Sequence, residues 1–298
     1  MSRALGVFFP ASVAEASTLL LEFGSAGAAY GGGVKLVPLI RDRLSEVTAL
    51  VDVKALSPLR GVTATAGTGT AGTGVRIGAA VRHAELAASA LVRSSLPMLA
   101  EAEACLGNPR VRNQGTLGGN LCFADPVSDP VAPLLVYDAE VTLAGTGGER
   151  TLPLPEFLTG PFQTARRPGE ILTCIRALEL GPGWVQSYQR VERFGRPVAT
   201  AAVAYRRADG TLTAIRLAVG CAGQRPQRLG ELELRLTGLA AGQAQPVLAG
   251  TRDYLADVLR PRDDLFGSAA YKAHLASVLL TRGLDDPAAP DPAADGRP

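Results

Sequence analysis

The sequence predicts an α+β fold divided into more than one domain, and three observations carry this reading. Near the N-terminus a capped helical pattern is followed by a short strand that runs into a glycine turn and a second helix start. The middle of the chain alternates strand pairs, joined by glycine-rich turns, with short helical patterns. Towards the C-terminus strand-like segments come first and helical ones follow, the order expected of a sheet with helices packed on one face. At 298 residues, 47% of them hydrophobic, the chain has material for two or three packed cores.

Ser12 and Glu15 have capping-box spacing. Val13, Ala16, Leu19, Leu20 and Phe23 follow at helical spacing, and Gly24 ends the helix. Ala28–Tyr30 reads as a strand that enters Gly31-Gly32-Gly33 and then a helix start from Val34 to Ile40. The strand Leu50–Val53 closes a first part, residues 1–57. Val62–Ala66 and Val75–Ala79 are strands around a flexible glycine–threonine loop, Gly67–Gly74, which lacks the lysine and following helix of a phosphate loop. His83–Ala90 is a short helix, and Pro97 opens a stronger one through Ala104 that Gly107 terminates. Gly107–Asp138 reads as a loop leading into a helix over Val131–Tyr137. Strands Glu140–Leu143 and Arg150–Leu154 join at Gly147-Gly148, and Ile171–Leu180 alternates as a strand. Gly181-Pro182-Gly183 ends the second part, residues 58–181. Trp184–Val191, Val198–Arg207 and Thr211–Val219 are the strands of a third part, the last two joined at Asp209-Gly210. A basic loop, Gln224–Arg228, leads to helices over Leu229–Leu236, Pro246–Leu259 and Ser268–Leu284 and completes residues 182–284. Residues 285–298, rich in Asp, Pro, Ala and Gly, read as a disordered tail.

Thirty basic and 28 acidic residues leave a net charge of +2, a balance that argues against nucleic acid as the main partner. No apolar run reaches the roughly 18 residues of a membrane helix. The opening MSRALGVFFP is too short in apolar residues for a signal peptide, so a cytoplasmic protein is expected. Cys105, Cys122, Cys174 and Cys221 form no C-x-x-C pair and are expected as buried free thiols, with no iron–sulfur or zinc site. His83 and His274 lack ligand spacing, so His83 is placed at a helix start and His274 on a helix face, and no metal site is expected. No Ser-His-Asp or Cys-His arrangement is present, and no catalytic residue is assigned.

What remains is a chemistry of glycines. Gly115, Gly118 and Gly119 are threaded with Asn113, Thr116 and Asn120, and the acidic Asp125-Pro126 and Ser128-Asp129-Pro130 follow. Glycine lets backbone approach a ligand and present bare N–H groups, hydroxyls and amides add donors, and carboxylates accept from hydroxyls or ring N–H groups. Gly31-Gly32-Gly33 between a strand and a helix start is a second arrangement of the same kind, though neither the dinucleotide fingerprint nor a P-loop. A glycine triplet is by itself better explained by a tight turn than by a phosphate cradle.

Taken together, Gly31–Leu36 and Val111–Asn120, with Ala124-Asp125-Pro126 and Ser128-Asp129 after them, resemble the flavin-binding medium subunit of the molybdenum hydroxylases. That family includes carbon monoxide dehydrogenase, xanthine dehydrogenase and related aromatic-compound dehydrogenases. The first motif is similar to the family's A-G-G-[TH]-[DS]-L loop, and the second to its R-N-x-G-[TS]-[IL]-G-G-N signature. The likeness extends over about residues 4 to 284, through Leu50–Val53, Arg76–Ala79, Glu192–Ala201 and Tyr271-Lys272. The resemblance implies a vanillyl-alcohol-oxidase-like flavin fold in two parts, followed by a third, α+β domain. It implies that FAD lies with its pyrophosphate on the backbone of Gly31, Gly32, Gly33, Val34, Lys35 and Leu36. Thr116, Leu117, Gly118, Gly119 and Asn120 would form the facing half of the cradle, with Asn113 beside them. Asp125 or Asp129 would accept from the ribityl or adenine end, and Leu172 and Gln189 would edge the flavin ring. Val34 and Lys35 depart from the family's hydroxyl and acidic positions: Val34 loses a donor, and Lys35 either pairs with a phosphate or faces solvent or a partner surface.

The function implied is an electron-transfer flavin subunit. A large subunit would carry the molybdopterin cofactor, and a small one two [2Fe–2S] clusters that this chain has no cysteine pattern to hold. Electrons would pass from the iron–sulfur subunit to the flavin and on to oxygen, NAD⁺ or a quinone. The alternative is a stand-alone FAD-dependent oxidoreductase acting on its own small substrate, which would need an acid or base such as Glu192 or Tyr188 over the ring. A third reading is a scaffold that has lost flavin, suggested by Val34 and Lys35.

Overall fold

The computed structural model describes residues 5–66 and 72–285; the glycine–threonine loop from Gly67 to Ala71 and the tail from residue 286 lie outside the described residues. The chain packs as two compact units. The first comprises the chain up to Ser95, Glu103–Ala124 and Asp138–Glu179, and the second Leu96–Ala102, Asp125–Tyr137 and the chain from Leu180.

The first unit opens with β1 (Gly6–Phe8), α1 (Val13–Phe23), β2 (Gly27–Tyr30), α2 (Leu36–Arg41) and β3 (Ala49–Asp52). Ser12 caps α1 by accepting from the Glu15 N–H, and the Glu15 carboxylate reaches back to the N–H of Ala11 at 2.7 Å, one residue beyond the expected box. Gly24, at a φ of +51°, ends the helix. The strands pair in parallel in the order β1-β3-β2. The loop after β2 therefore leaves the carboxyl end of a parallel strand, where open α/β sheets place their ligands.

A second sheet follows in the same unit. Its first elements are β4 (Val62–Thr65), β5 (Gly74–Gly78), α3 (His83–Ala88) and α4 (Ala90–Ser95); α5 (Pro97–Cys105), whose residues up to Ala102 belong to the second unit, leads into α6 (Pro109–Gln114) and α7 (Leu117–Phe123). The expected helix over His83–Ala90 stops at Ala88 and is followed by α4, because Ser89 turns extended and its hydroxyl accepts from the Val92 N–H. The glycine-bearing stretch expected as loop holds α6 and α7. Asn108 caps the first by accepting from Val111 N–H, with Pro109 at the first helical position, and Thr116 caps the second. After α8 (Val131–Val136) come β6 (Glu140–Gly145), β7 (Gly148–Pro153), α9 (Leu154–Phe157), β8 (Leu158–Gly160), β9 (Gln163–Thr164) and β10 (Ile171–Leu178). The larger sheet is antiparallel in the order β4-β5-β10-β6-β7. Arg150 on β7 holds Glu170, just before β10, through Nε and Nη2 at 2.6 and 2.7 Å.

The second unit is built on β11 (Val185–Arg193), β12 (Arg196–Ala208), β13 (Thr211–Gly220) and the short β14 (Gln227–Arg228), antiparallel in that order. Its helices are α10 (Gly230–Leu236), α11 (Ala241–Ala249), α12 (Arg252–Leu259) and α13 (Ala269–Asp285). The single helix expected over Pro246–Leu259 is two, because the chain turns at Gly250 and the Thr251 hydroxyl folds back onto the Leu248 carbonyl at 2.6 Å. Ala199, Ala201, Val203 and Tyr205 on one face of β12 form the core with Leu232, Leu255, Leu279 and Leu280 of these helices. The other face of the sheet packs against α8, whose six residues are all buried. A helix apolar all round needs cover on every side, and Val131–Val136 finds it here rather than beside its sequence neighbours β6 and β7. Tyr137 locks the arrangement: its buried hydroxyl donates to Gln186 at 2.6 Å and accepts from the Met98 N–H at 3.2 Å. The expected basic loop is partly neutralised, since Arg228 is paired with Glu233 at 2.9 Å.

Hydrogen bonds from Arg150 hold the Glu170 carboxyl below its ordinary value of 4.5, against a smaller opposing effect of burial. A carboxylate with a lowered folded pKa stabilises the fold fully above its unfolded value, and that stabilisation is lost as the pH falls through the folded one. Glu170→Gln is therefore expected to lower the melting temperature at neutral pH and to flatten its fall on acidification below about pH 4.5. Parallel melting curves of the two proteins down to the acid limit would contradict this.

Candidate functional site

Both glycine stretches belong to the first unit, and they touch. A Cβ built on Gly32 would stand 2.1 Å from the Gln114 carbonyl oxygen and 2.6 Å from the Gly115 Cα, and one on Gly31 would stand 2.9 Å from the Thr116 hydroxyl. Only glycine permits this backbone-on-backbone contact. Gly33, at a φ of +70°, turns the chain so that Lys35 precedes α2. The loop donates little to the protein itself: among the described residues, the N–H groups of Gly31, Gly32, Gly33 and Val34 meet no protein acceptor. An array of successive unspent N–H groups beside a helix start suits an anion with several oxygens.

The second stretch differs in its backbone. Its backbone donors are already spent. Leu117 N–H donates to the Val81 carbonyl at 3.1 Å, Gly118 to Ala79 at 2.9 Å and Asn120 to Thr116 at 2.9 Å. Gly119 donates to the Thr116 hydroxyl at 3.1 Å. The cause is the cap: Thr116 turns the glycines into the first turn of α7, and the end of β5 takes the rest. Gly118 is buried, and a Cβ there would stand 2.5 Å from that of Ala79, so this glycine serves helix–strand packing. Gly119 is exposed, as is Asn113 on α6. Leu172 is buried at the start of β10, and the adjacent Thr173 carbonyl accepts from the Ala79 N–H at 2.9 Å, one step on from the Cys174–Gly78 pair of β10 with β5. The start of α7 thus lies beside the end of β5, and the helix packs against β10 and β9.

Val34 is half-buried and Leu36 starts α2. Lys35 is exposed, and its ammonium lies 5.5 Å from the centroid of the Phe123 ring at the end of α7. It leans across towards the second stretch. Beneath that stretch is a pair that spacing gave no hint of. His83 Nδ1 is 2.5 Å from a Glu103 oxygen, and both side chains are almost fully buried. His83 does stand at the start of α3, as expected, and His274 is exposed on α13.

The remaining candidates lie in the second unit. Asp125 caps its own turn by accepting from the Val127 N–H at 3.0 Å. Asp129 is buried, and its Oδ1 accepts from the Tyr188 hydroxyl at 2.9 Å and from Arg190 Nε at 2.8 Å. Burial pushes this carboxyl up, while Arg190 and Tyr188 pull against it. Burial and the neighbouring Asp129 likewise raise the Tyr188 hydroxyl well above its ordinary range. Glu192 is exposed and bonded to Arg190. Gln189 alternates to the opposite face of β11, where it donates to Ser187 at 2.8 Å and lies beside Gly283 of α13. Asp129 and Gln189 therefore do not share a face. No disulfide joins the four cysteines, and only Cys221 is buried; Cys105 ends α5 on its exposed side, contrary to expectation. Among the described residues no three His, Cys, Asp or Glu side chains gather as a metal site, and no helix is long and apolar enough to cross a membrane.

Residues 3–177 match the family described as FAD binding domain in molybdopterin dehydrogenase, and residues 186–286 match the CO dehydrogenase flavoprotein C-terminal domain. The carbon monoxide dehydrogenase medium chain of Hydrogenophaga pseudoflava is 32% identical over 280 residues, covering 93% of this chain and 94% of that one. The xanthine dehydrogenase FAD-binding subunit of Escherichia coli O157:H7 is 29% identical, covering 93% of each. A solved carbon monoxide dehydrogenase from Hydrogenophaga pseudoflava, lacking the Mo-pyranopterin moiety of its cofactor, superposes with a TM-score of 0.87 at 30% identity over 96% of this chain and 97% of that one. This chain belongs to the FAD-binding flavoprotein subunits of the molybdenum hydroxylase family, and is an oxidoreductase subunit.

Proposed function

We infer that the chain binds FAD with its pyrophosphate on the N–H groups of Gly31 to Leu36, and relays electrons between partner subunits and a soluble acceptor. The observation that carries this is the contact of Gly31 and Gly32 with Gln114–Thr116, which joins the loop that offers unspent N–H donors to the helix turn that backs it. Thr116 borders that loop, its hydroxyl 2.9 Å from where a Gly31 Cβ would stand; Asn113, Leu117, Gly118, Gly119 and Asn120 are kept as candidates on the same stretch, and Leu172 lies next to the β5 end on which Gly118 rests. The chemistry FAD supplies when bound is electron transfer, while the protein supplies binding, orientation and tuning. Lys35 adds a positive charge at the rim, and its place over Phe123 supports a role near the phosphates rather than a solvent role alone. Asp125, Asp129 and Gln189 are kept as candidates for the rest of the cofactor, with Asp129 positioned by Arg190 and Tyr188. The division into residues 1–57, 58–181 and 182–284 is likewise retained as a reading of the family's architecture.

The named relatives are medium chains of carbon monoxide dehydrogenase and an FAD-binding subunit of xanthine dehydrogenase. By that likeness, a large molybdopterin subunit and a small subunit with [2Fe–2S] clusters are the partners, in the cytoplasm, and the acceptor is oxygen, NAD⁺ or a quinone. A stand-alone oxidoreductase is less well supported. Tyr188 holds its proton towards Asp129, and Glu192 is engaged with Arg190, so neither is poised as an acid or base. The FAD-loaded chain alone is expected to keep its oxidised flavin spectrum when offered carbon monoxide, purines or aldehydes. The assembled complex with its own substrate is expected to bleach it. Bleaching of the isolated chain would sink the relay reading.

Gly32→Ala is expected to lose FAD on gel filtration and to cost about 1–3 kcal/mol of stability, since a methyl cannot be fitted against the Gln114 carbonyl without moving a loop. Gly147→Ala, where a Cβ would meet nothing within 4 Å, is the control. Equal FAD content in the two variants would place the cradle elsewhere.

A further inference from the structure

Among the described residues, the His83–Glu103 pair is the fully buried ionisable pair of the first unit that the flavin reading leaves without a task. Glu103 is 0% exposed and His83 is 3% exposed. Oε2 of Glu103 meets His83 Nδ1, and its other oxygen, Oε1, is buried without a partner. A buried carboxylate with one oxygen unsatisfied is costly, and native proteins keep few such groups without a reason. The Glu103 oxygen against Nδ1 holds the imidazole at one edge, and the opposite edge of the ring is thereby fixed in place. That edge faces Gly115: a Cβ built there would stand 2.8 Å from His83 Cδ2 and 3.2 Å from Nε2. The His83 N–H also donates to the Gly115 carbonyl at 3.1 Å. On its other side Gly115 meets Gly32, its Cα 2.6 Å from where a Gly32 Cβ would be. Arg112 adds a second tether, donating at 3.1 Å to the Leu106 and Gly107 carbonyls just beyond α5, the helix that carries Glu103. An unbroken line of contact therefore runs from Glu103 through His83 and Gly115 to the donor loop at Gly32.

We propose that the buried His83–Glu103 pair is a positioning device for the cofactor cradle: it sets where Gly115 and Thr116 stand against Gly31 and Gly32, and through them the affinity for the FAD pyrophosphate. This rests on the reading of those loops as the FAD cradle. Neither residue touches the cofactor in this account; Glu103 orients the imidazole, and the imidazole holds the turn. Glu103→Gln keeps an oxygen that accepts from Nδ1, whereas Glu103→Ala leaves the ring unoriented.

The test is FAD titration of the full-length apoprotein by flavin fluorescence, with the melting temperature of each apoprotein measured alongside. ADP, which carries the pyrophosphate without the flavin, is titrated as a competitor. Glu103→Ala is expected to weaken both FAD and ADP by about tenfold or more, and Glu103→Gln to stay near the wild type. Wild-type affinity in Glu103→Ala overturns the proposal. So does a Glu103→Gln variant as weak as Glu103→Ala, or a loss confined to FAD with ADP unaffected. If Glu103→Ala does not fold, Glu103→Asp carries the test: it keeps the charge but withdraws it from His83, and an unchanged affinity overturns the proposal. A wild-type chain that takes up neither FAD nor ADP overturns instead the reading of the cradle itself.

Discussion

The proposed cradle depends on one close approach, the backbone of Gly31-Gly32 laid against Gln114–Thr116. It joins an N-terminal parallel sheet to the helices that follow a separate antiparallel one. A methyl group on Gly32 would overlap a carbonyl oxygen at 2.1 Å. Glycine is demanded there by contact between two pieces of protein, and only indirectly by a ligand. The same holds for Gly118 against Ala79 and for Gly115 against His83. The glycines that look alike in sequence thus divide the work. Gly32, Gly115 and Gly118 bring backbone to backbone or backbone to ring, while the turn at Gly33 leaves the neighbouring N–H groups without protein acceptors.

This division inverts the weight that the sequence places on the two motifs. The Val111–Asn120 signature is the more specific string, yet its amides from Leu117 to Asn120 are consumed by Thr116 and by the carbonyls of Ala79 and Val81 just after β5. The plainer glycine triplet keeps its donors. A motif can be distinctive because it packs in only one way, and the chemistry can reside in the less distinctive partner that it supports. Lys35, a departure from the family pattern, fits the same picture: its charge leans over Phe123 towards the second stretch, so the substitution does not remove it from the site.

Much of the architecture was legible in sequence because its signals are local. The Ser12 cap, the Asp209-Gly210 hairpin and the alternation along β12 and β13 each depend on neighbours within a few residues. The errors have local causes too. Gly250 divides what reads as one helix, and glycine-rich composition hides two capped helices between Pro109 and Phe123. What no spacing could reveal is long-range. Tyr188 and Arg190 converge on Asp129 from about sixty positions away, Glu103 meets His83 across two helices, and Val131–Val136 leaves its sequence neighbours to cover the sheet of the second unit. Gln189 shows the limit most plainly: one step of strand alternation sets it on the face opposite Asp129.

The central claim is that a phosphate-bearing flavin sits on the loop with the unspent donors and is backed by the helix turn whose donors are spent. Amide hydrogen exchange on the full-length chain, with and without FAD, tests this most directly. The account predicts that the amides of Gly31, Gly32, Gly33 and Val34 exchange fast in the apoprotein and become protected by FAD. Those of Leu117 and Gly118, already bonded to Val81 and Ala79, should be slow in both states. Protection that appears at Leu117–Asn120 while Gly31–Val34 stays fast would contradict it.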